Sequence, residues 1–186
     1  MKLSRIFNAR IIILMIVISI ILGFLISLLI TGIEFLIYPE NYKDIVFKYS
    51  EQYTVPSELI FAVIKVESNF DKDAISRVGA VGLMQILPST FDDIAPSINE
   101  SSDPQLLTDP EVNIKAGVYY LRYLYLMFGS WEKAIIAYNW GLGHFKNFLA
   151  ENGYTEGDYD SIPVRETRNY VKQVMHHWQK YIELYE

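Results

Sequence analysis

Leu59-Ile60-Phe61-Ala62-Val63-Ile64-Lys65-Val66-Glu67-Ser68-Asn69-Phe70 is the stretch that decides the fold. Its first six residues are apolar without a break, and Pro56 and Ser57 stand where a helix would start. A run this apolar on every side predicts a helix buried in a core, not an amphipathic surface helix. Glu67 then falls at the end of a core helix, where a carboxylate is costly to desolvate. Two readings follow from the stretch alone: a general acid/base, or a surface residue where the helix emerges.

Upstream, the chain is uncharged from Ile11 to Ile33. As a helix this run is about 35 Å long, against a hydrocarbon core of about 30 Å. It is longer than a leader-peptide core, and no small-residue cleavage site follows it. A single uncleaved span is expected, with late cleavage as the alternative. Lys2, Arg5 and Arg10 precede the span, and Glu34 and Glu40 follow it. The bias places residues 1–10 in the cytoplasm and the remainder on the outer side of the membrane. The expected organisation is a cytoplasmic N-terminus at 1–10, a transmembrane helix at 11–33, a juxtamembrane connection at 34–44 and one domain at 45–186.

The net charge is −6, and past the span acidic residues outnumber basic ones. Nucleic acid is therefore not an expected partner. No cysteine is present, which excludes thiol catalysis, disulfides and a lipidated-cysteine anchor. The periodicity and punctuation predict a mostly α domain: helices near 41–53, 56–68, 88–95, 109–128, 131–139, 144–151 and 163–185. Asp109-Pro110-Glu111 and Ser130 are N-terminal signals, and Gly129 is a stop. Residues 69–81 and 152–162 read as loops, 96–108 as irregular, and 82–87 as a short extended run. At most a small β element is expected, within 69–87.

Familiar chemistries fall away in turn. His-Glu-x-x-His is absent, and the adjacent His176 and His177 point apart on a helix, so both are expected to be solvated; neither a metal nor a cofactor is implied. Gly141-x-Gly143 follows a helix and lacks a third glycine, so it is no dinucleotide loop. Carboxylate chemistry with aromatics remains. Asp71 and Asp73 would complete a two-carboxylate glycosidase, but a solvated turn past a helix end is the preferred reading. Phe61, Tyr120 and Tyr123 are expected in the core, and Met84 reads equally as core or cleft.

Four motifs in order carry a resemblance. They are Glu67-Ser68; Ser76-x-x-Gly79-Ala80-x-Gly82-Leu83-Met84-Gln85-Ile86-x-Pro88; Ala137-Tyr138-Asn139-x-Gly141-x-Gly143; and Ile162-Pro163-x-Arg165-Glu166-Thr167-Arg168-x-Tyr170-Val171. Over about residues 45–182 the chain resembles the SLT-type lytic transglycosylase domain. That resemblance implies a lysozyme-like fold and cleavage of peptidoglycan glycan strands. It implies Glu67 as the single catalytic acid/base and Ser76 as a nearby hydroxyl. Gly82, Leu83, Met84 and Gln85 correspond to the cleft-lining motif, and Tyr138 and Asn139 to residues beside the scissile bond. Glu166 and Tyr170 match the last motif, whose tyrosine orients the acid. Trp140 and Leu142 depart from the small residue and proline common in the family, with the glycines intact.

The residue chemistry fits those roles. Glu166 and Tyr170, spaced i, i+4, share a helix face. A tyrosine hydroxyl can fix the rotamer of Glu67, while Val66, Leu83 and Met84 as apolar walls would keep it protonated near neutral pH. Gly79 and Gly82 would let backbone approach a substrate closely. The expected reaction gives a 1,6-anhydromuramyl end. A hydrolytic muramidase and a non-catalytic wall-binding assembly protein are the alternatives. A short membrane tether further predicts local wall remodelling alongside a secretion or division apparatus.

Overall fold

The computed structural model describes residues 2–185, with side chains from Arg10 onward. The chain divides into two units, Met1–Pro39 and Glu40–Glu186. The first is helix α1, Lys2–Ile37. Its segment Arg10–Ile37, with a mean hydropathy of 3.2 over its most apolar 18 residues, is long and apolar enough to cross a membrane. The helix runs past the expected end at Ile33, because Phe35, Leu36 and Ile37 continue the apolar pattern. The side chains of Lys2 and Arg5, on which the expected orientation partly rests, lie outside the described residues.

The second unit holds seven α-helices among the described residues: α2 Lys43–Tyr53, α3 Ser57–Ser68, α4 Pro88–Ile94, α5 Pro110–Phe128, α6 Trp131–Trp140, α7 Leu142–Asn152 and α8 Arg165–Tyr185. Helix α3 is the central element. Leu59 through Ile64 are all buried, so this helix has no solvent face along its first turns. It packs chiefly on α8, while α6 packs on both α5 and α8 and α2 lies against α5. Glu58 in the first turn and Lys65 in the last suit the helix ends, and Asn69 closes α3 in the left-handed region, donating its N–H to the Lys65 carbonyl.

The caps form as the sequence leads one to expect. The Asp109 side chain accepts from the backbone N–H of Glu111 and Val112, ahead of Pro110 at the first turn of α5. Ser130 accepts from the Lys133 N–H at the start of α6. Each such cap contributes about 1 kcal/mol.

Several expectations are corrected. Residues 82–87 are a tight turn, not an extended run: Gln85 has φ 48° and its N–H reaches back to the Gly82 carbonyl at 3.1 Å. The β content among the described residues is two isolated bridges, Ile75 with Val81 and Val81 with Ile86. The stretch 96–108 includes two 3₁₀ turns, Ala95–Ile98 and Pro104–Thr108, the second capped by Asp103. Helix α7 begins at Leu142, so Gly141 alone makes the connection, with φ 91°. Tyr123 is 41% exposed and so lies outside the core, stacked on Tyr120 of the same helix. His177 is half-buried where solvent was expected; burial first, then the charges of Lys65 and His176, pushes its imidazole down to about 4. Asp71 and Asp73 do form a solvated turn, with the Asp73 N–H donating to Asp71 Oδ1.

Candidate active site

Glu67 stands in the last turn of α3, half-buried. The Tyr170 hydroxyl donates to its Oε1 at 2.6 Å. Burial pushes the Glu67 carboxyl up to about 7, and the hydrogen bond from Tyr170 pulls it down by less. Near neutral pH this residue therefore samples both the acid and the carboxylate. Tyr170 itself is 7% exposed, and burial together with the Glu67 charge pushes its hydroxyl well above the usual tyrosine range. Burial and the Glu67 charge raise the Tyr138 hydroxyl as well. Both tyrosines thus remain O–H donors through the range in which Glu67 titrates.

A cavity of about 400 Å³ opens over this carboxyl, lined by Val66, Glu67, Asn139, Glu166, Asn169, Tyr170 and Gln173. It gathers α3, the C-terminal end of α6 and the first turns of α8. Glu166 is exposed at this cavity. Asn169 and Gln173 are additions that the sequence reading missed. The signal was available: 166, 169, 170 and 173 follow the i, i+3, i+4, i+7 spacing of one helix face.

The other expected site residues do not line that cavity. Leu83 and Met84 have fully buried side chains, so Met84 is core, not cleft. Met84 fits against Gly117, where a Cβ would strike its side chain 2.8 Å from Met84 Cβ. What the turn offers instead is its main chain, which three helices hold. The Ser68 hydroxyl of α3 donates to the Leu83 carbonyl at 2.8 Å. The Tyr138 hydroxyl of α6 donates to the Met84 carbonyl at 2.7 Å. Asn113 of α5, 1% exposed, accepts from the Met84 N–H and donates to the carbonyls of Val81 and Leu107. Gly82, at φ 79°, leaves no room for a Cβ, which would lie 2.6 Å from the Leu107 carbonyl oxygen. The close approach at Gly82 is therefore to α5 and its entry loop.

Gln85 donates from Nε2 to the carbonyls of Ala74 and Gly82, which leaves its Oε1 as the acceptor side of the amide. The Ser76 hydroxyl accepts from the Ala80 N–H and shapes the 76–80 loop. Gly79, at φ 83°, has open space around it.

A second unforeseen anchor lies at Glu132, 7% exposed on α6. Its carboxylate accepts from the Tyr154 hydroxyl at 2.6 Å, the Gly157 N–H at 2.7 Å and the Tyr159 hydroxyl at 3.0 Å. This ties the 153–161 loop to the core and so sets where α8 begins. Among the described residues no cluster of three or more His, Asp and Glu is placed to hold a metal ion.

Known proteins resemble this chain in sequence and in fold. The soluble lytic murein transglycosylase of Escherichia coli K12 is 37% identical over 147 residues, which is 74% of this chain and 22% of that protein. Membrane-bound lytic murein transglycosylase C of Haemophilus ducreyi is 32% identical over 169 residues, 77% of this chain and 46% of that one. The crystal structure of the 70 kDa soluble lytic transglycosylase from E. coli superposes with a TM-score of 0.73 at 36% identity, covering 78% of this chain and 25% of that chain. The chain thus spans less than half the length of these relatives. The family model described as the transglycosylase SLT domain matches residues 44–160, and the chain belongs to that family.

Proposed function

We propose that the domain past α1 is a peptidoglycan lytic transglycosylase, cleaving the bond between N-acetylmuramic acid and N-acetylglucosamine. The observation that carries the reading is the Glu67 carboxyl, raised to about 7 and held by Tyr170 at the edge of a cavity. Relatives named as lytic murein transglycosylases support the same chemistry.

The mechanism follows from one carboxyl serving twice. Glu67 in its acid form donates its proton to the glycosidic oxygen as the C1–O bond breaks, and the N-acetylglucosamine end leaves as an alcohol. The muramyl C1 gains oxocarbenium character. Glu67, now a carboxylate, takes the proton from the muramyl 6-hydroxyl while that oxygen bonds to C1. The residue ends as it began, and the product carries a 1,6-anhydro ring. Intramolecular attack draws on proximity rather than on an activated water. A pKa near the working pH suits both halves of the cycle. Tyr170 would hold the carboxyl in one rotamer through both transfers. Asn139, Glu166, Asn169 and Gln173 are proposed to position the sugars, with Ser76, Tyr138 and the Gly82–Gln85 turn shaping the adjoining wall.

A second reading has its own observation. Glu166 shares the cavity with Glu67, and a hydrolytic muramidase would use such a second carboxylate to activate water or to attack C1. Mass spectrometry of muropeptides released from cell walls separates the two. Anhydro ends, one water lighter, support the transglycosylase; reducing ends alone establish the muramidase.

In the cell, α1 is proposed as a single transmembrane anchor with residues 1–10 cytoplasmic and the domain from about residue 45 on the outer face. Peptidoglycan close to the bilayer is then the substrate within reach, and a secretion or division apparatus is the proposed setting. The relatives named as membrane-bound fit an anchored enzyme.

A further inference from the structure

Asn113 lies on α5 at 1% exposure, so no ligand reaches its amide. Bond cleavage gives it no task. Its Oδ1 accepts from the Met84 N–H at 2.8 Å, and its Nδ2 donates to the carbonyls of Val81 at 2.8 Å and Leu107 at 2.9 Å. Val81 and Ile86 exchange backbone hydrogen bonds of 3.0 Å, which close the turn between them. Asn113 thus grips this turn twice, at its base and at the residue before Gln85. A Cβ at Gly82 would strike the Asn113 amide, so glycine there lets the turn lie flush against α5.

Gln85 is what the grip holds. It has φ 48° without being glycine. A residue with a Cβ is strained in that region, and such strain persists where the surroundings over-determine it, as at ligand clamps. Its amide is engaged on one side only. Nε2 donates to the carbonyls of Ala74 at 3.0 Å and Gly82 at 2.9 Å. Among the described residues no donor reaches Oε1, and that oxygen is not buried. The fixed amide therefore presents a single acceptor, suited to a hydroxyl or an acetamido N–H. The turn is also tied to the neighbours of the cavity residues. Ser68, next after Glu67, donates to the Leu83 carbonyl, and Tyr138, next before Asn139, donates to the Met84 carbonyl.

We infer that Asn113 is a positioning residue for substrate binding: it holds Gln85 in the left-handed conformation that presents Oε1 to the sugar. It never touches the strand and acts only through Gln85. The inference rests on the peptidoglycan reading, in which this turn shapes the wall adjoining the Glu67 cavity. It accounts for a buried amide that directs two of its three hydrogen bonds to a turn whose Leu83 and Met84 side chains are core.

The test is a double-mutant cycle on the full chain in detergent micelles, with Asn113→Ala, Gln85→Ala and the pair together. Steady-state kinetics are read on a muropeptide tetrasaccharide, below the melting temperature of every variant. Losing binding that is equal in ground and transition states raises KM and leaves kcat in place. Each single variant is expected to raise KM about tenfold, a free-energy change of about 1.4 kcal/mol. The double variant is expected to show the same tenfold rise of about 1.4 kcal/mol and no more, because Asn113 has nothing left to position once the amide is gone. A rise of about a hundredfold in the double variant means two independent contributions and overturns the inference. So does an unchanged KM in Asn113→Ala, including one that accompanies a fall in kcat, since lost folded enzyme alone gives that pattern. Where Asn113→Ala does not fold, Asn113→Ser retains a hydroxyl at the site; a smaller KM rise that disappears in the Gln85→Ala background supports the inference, and an unchanged KM overturns it. A wild-type chain inactive on the tetrasaccharide overturns the peptidoglycan reading itself, and the inference with it.

Discussion

Replacing Tyr170 with phenylalanine removes one hydroxyl and leaves the surrounding ring packing in place. In the native protein this hydroxyl donates to Glu67 Oε1 at 2.6 Å and favours the carboxylate, while burial favours the acid. Losing the donor leaves burial unopposed, so the Glu67 pKa rises from about 7. A hydrogen bond to a charged group is worth about 1.5–3 kcal/mol, and one pKa unit is about 1.4 kcal/mol, so the rise is about one to two units. The first proton transfer needs the acid form. The alkaline limb of the kcat profile should therefore move from about pH 7 to between about 8 and 9. The plateau rate falls at the same time, because the carboxyl is no longer held in one rotamer. The assay is release of soluble muropeptides from purified walls between pH 5 and about 9.5. An alkaline limb that stays near 7, or moves to lower pH, refutes the assignment of Tyr170 as the donor that opposes burial.

Two other perturbations test the same framework. Glu67→Gln should abolish turnover and also stabilise the domain at high pH. A carboxyl whose folded pKa lies above its unfolded value holds its proton in the native state while the unfolded chain has lost it. Stability contributed by the native proton is present below about pH 4.5 and is lost as the pH rises through about 7. The substitution should raise stability at pH 8 by up to about 3 kcal/mol and change little at pH 4, read from urea midpoints. Asn113→Ala deletes the side chain that holds Met84, Val81 and Leu107. Three buried hydrogen bonds at about 1 kcal/mol each predict a loss of about 3 kcal/mol, seen as a calorimetric melting shift of roughly 6–12 °C. A shift under about 2 °C would mean that the turn does not depend on α5.

The helical frame was readable because its signals are local. Asp109, Ser130 and Gly129 act within one turn of themselves, and the uniform apolarity of Leu59–Ile64 leaves a buried helix as its simplest outcome. The 82–87 turn resembles a strand by its apolar pattern; what bends it is a left-handed Gln85 and the hydrogen bond from Met84 to Asn113, 29 residues away in the chain. Met84 was left undecided for the same reason, since only the space beside Gly117 shows which way its side chain goes. At the site, the pairing of Glu67 with Tyr170 was expected through the family motifs. Asn169 and Gln173 share the helix face of Glu166 by spacing, but polar residues at those positions of an exposed helix face carry no signal that distinguishes a cavity from solvent. Glu132 gave no signal, being one acidic residue near a helix start whose partners lie more than twenty residues downstream.

The position of Glu67 in the last turn of α3 has an electrical consequence. The peptide dipoles of a helix sum to a partial negative charge at its C-terminal end, worth about 0.3–1 kcal/mol against a nearby anion. Each time Glu67 gives up its proton it becomes an anion facing that end. The helix that carries the acid thus works against its ionised state, adds to the pull of burial, and favours return of a proton as soon as the sugar hydroxyl offers one. In the proposed cycle, the central helix of the fold would serve in this way as the restoring force.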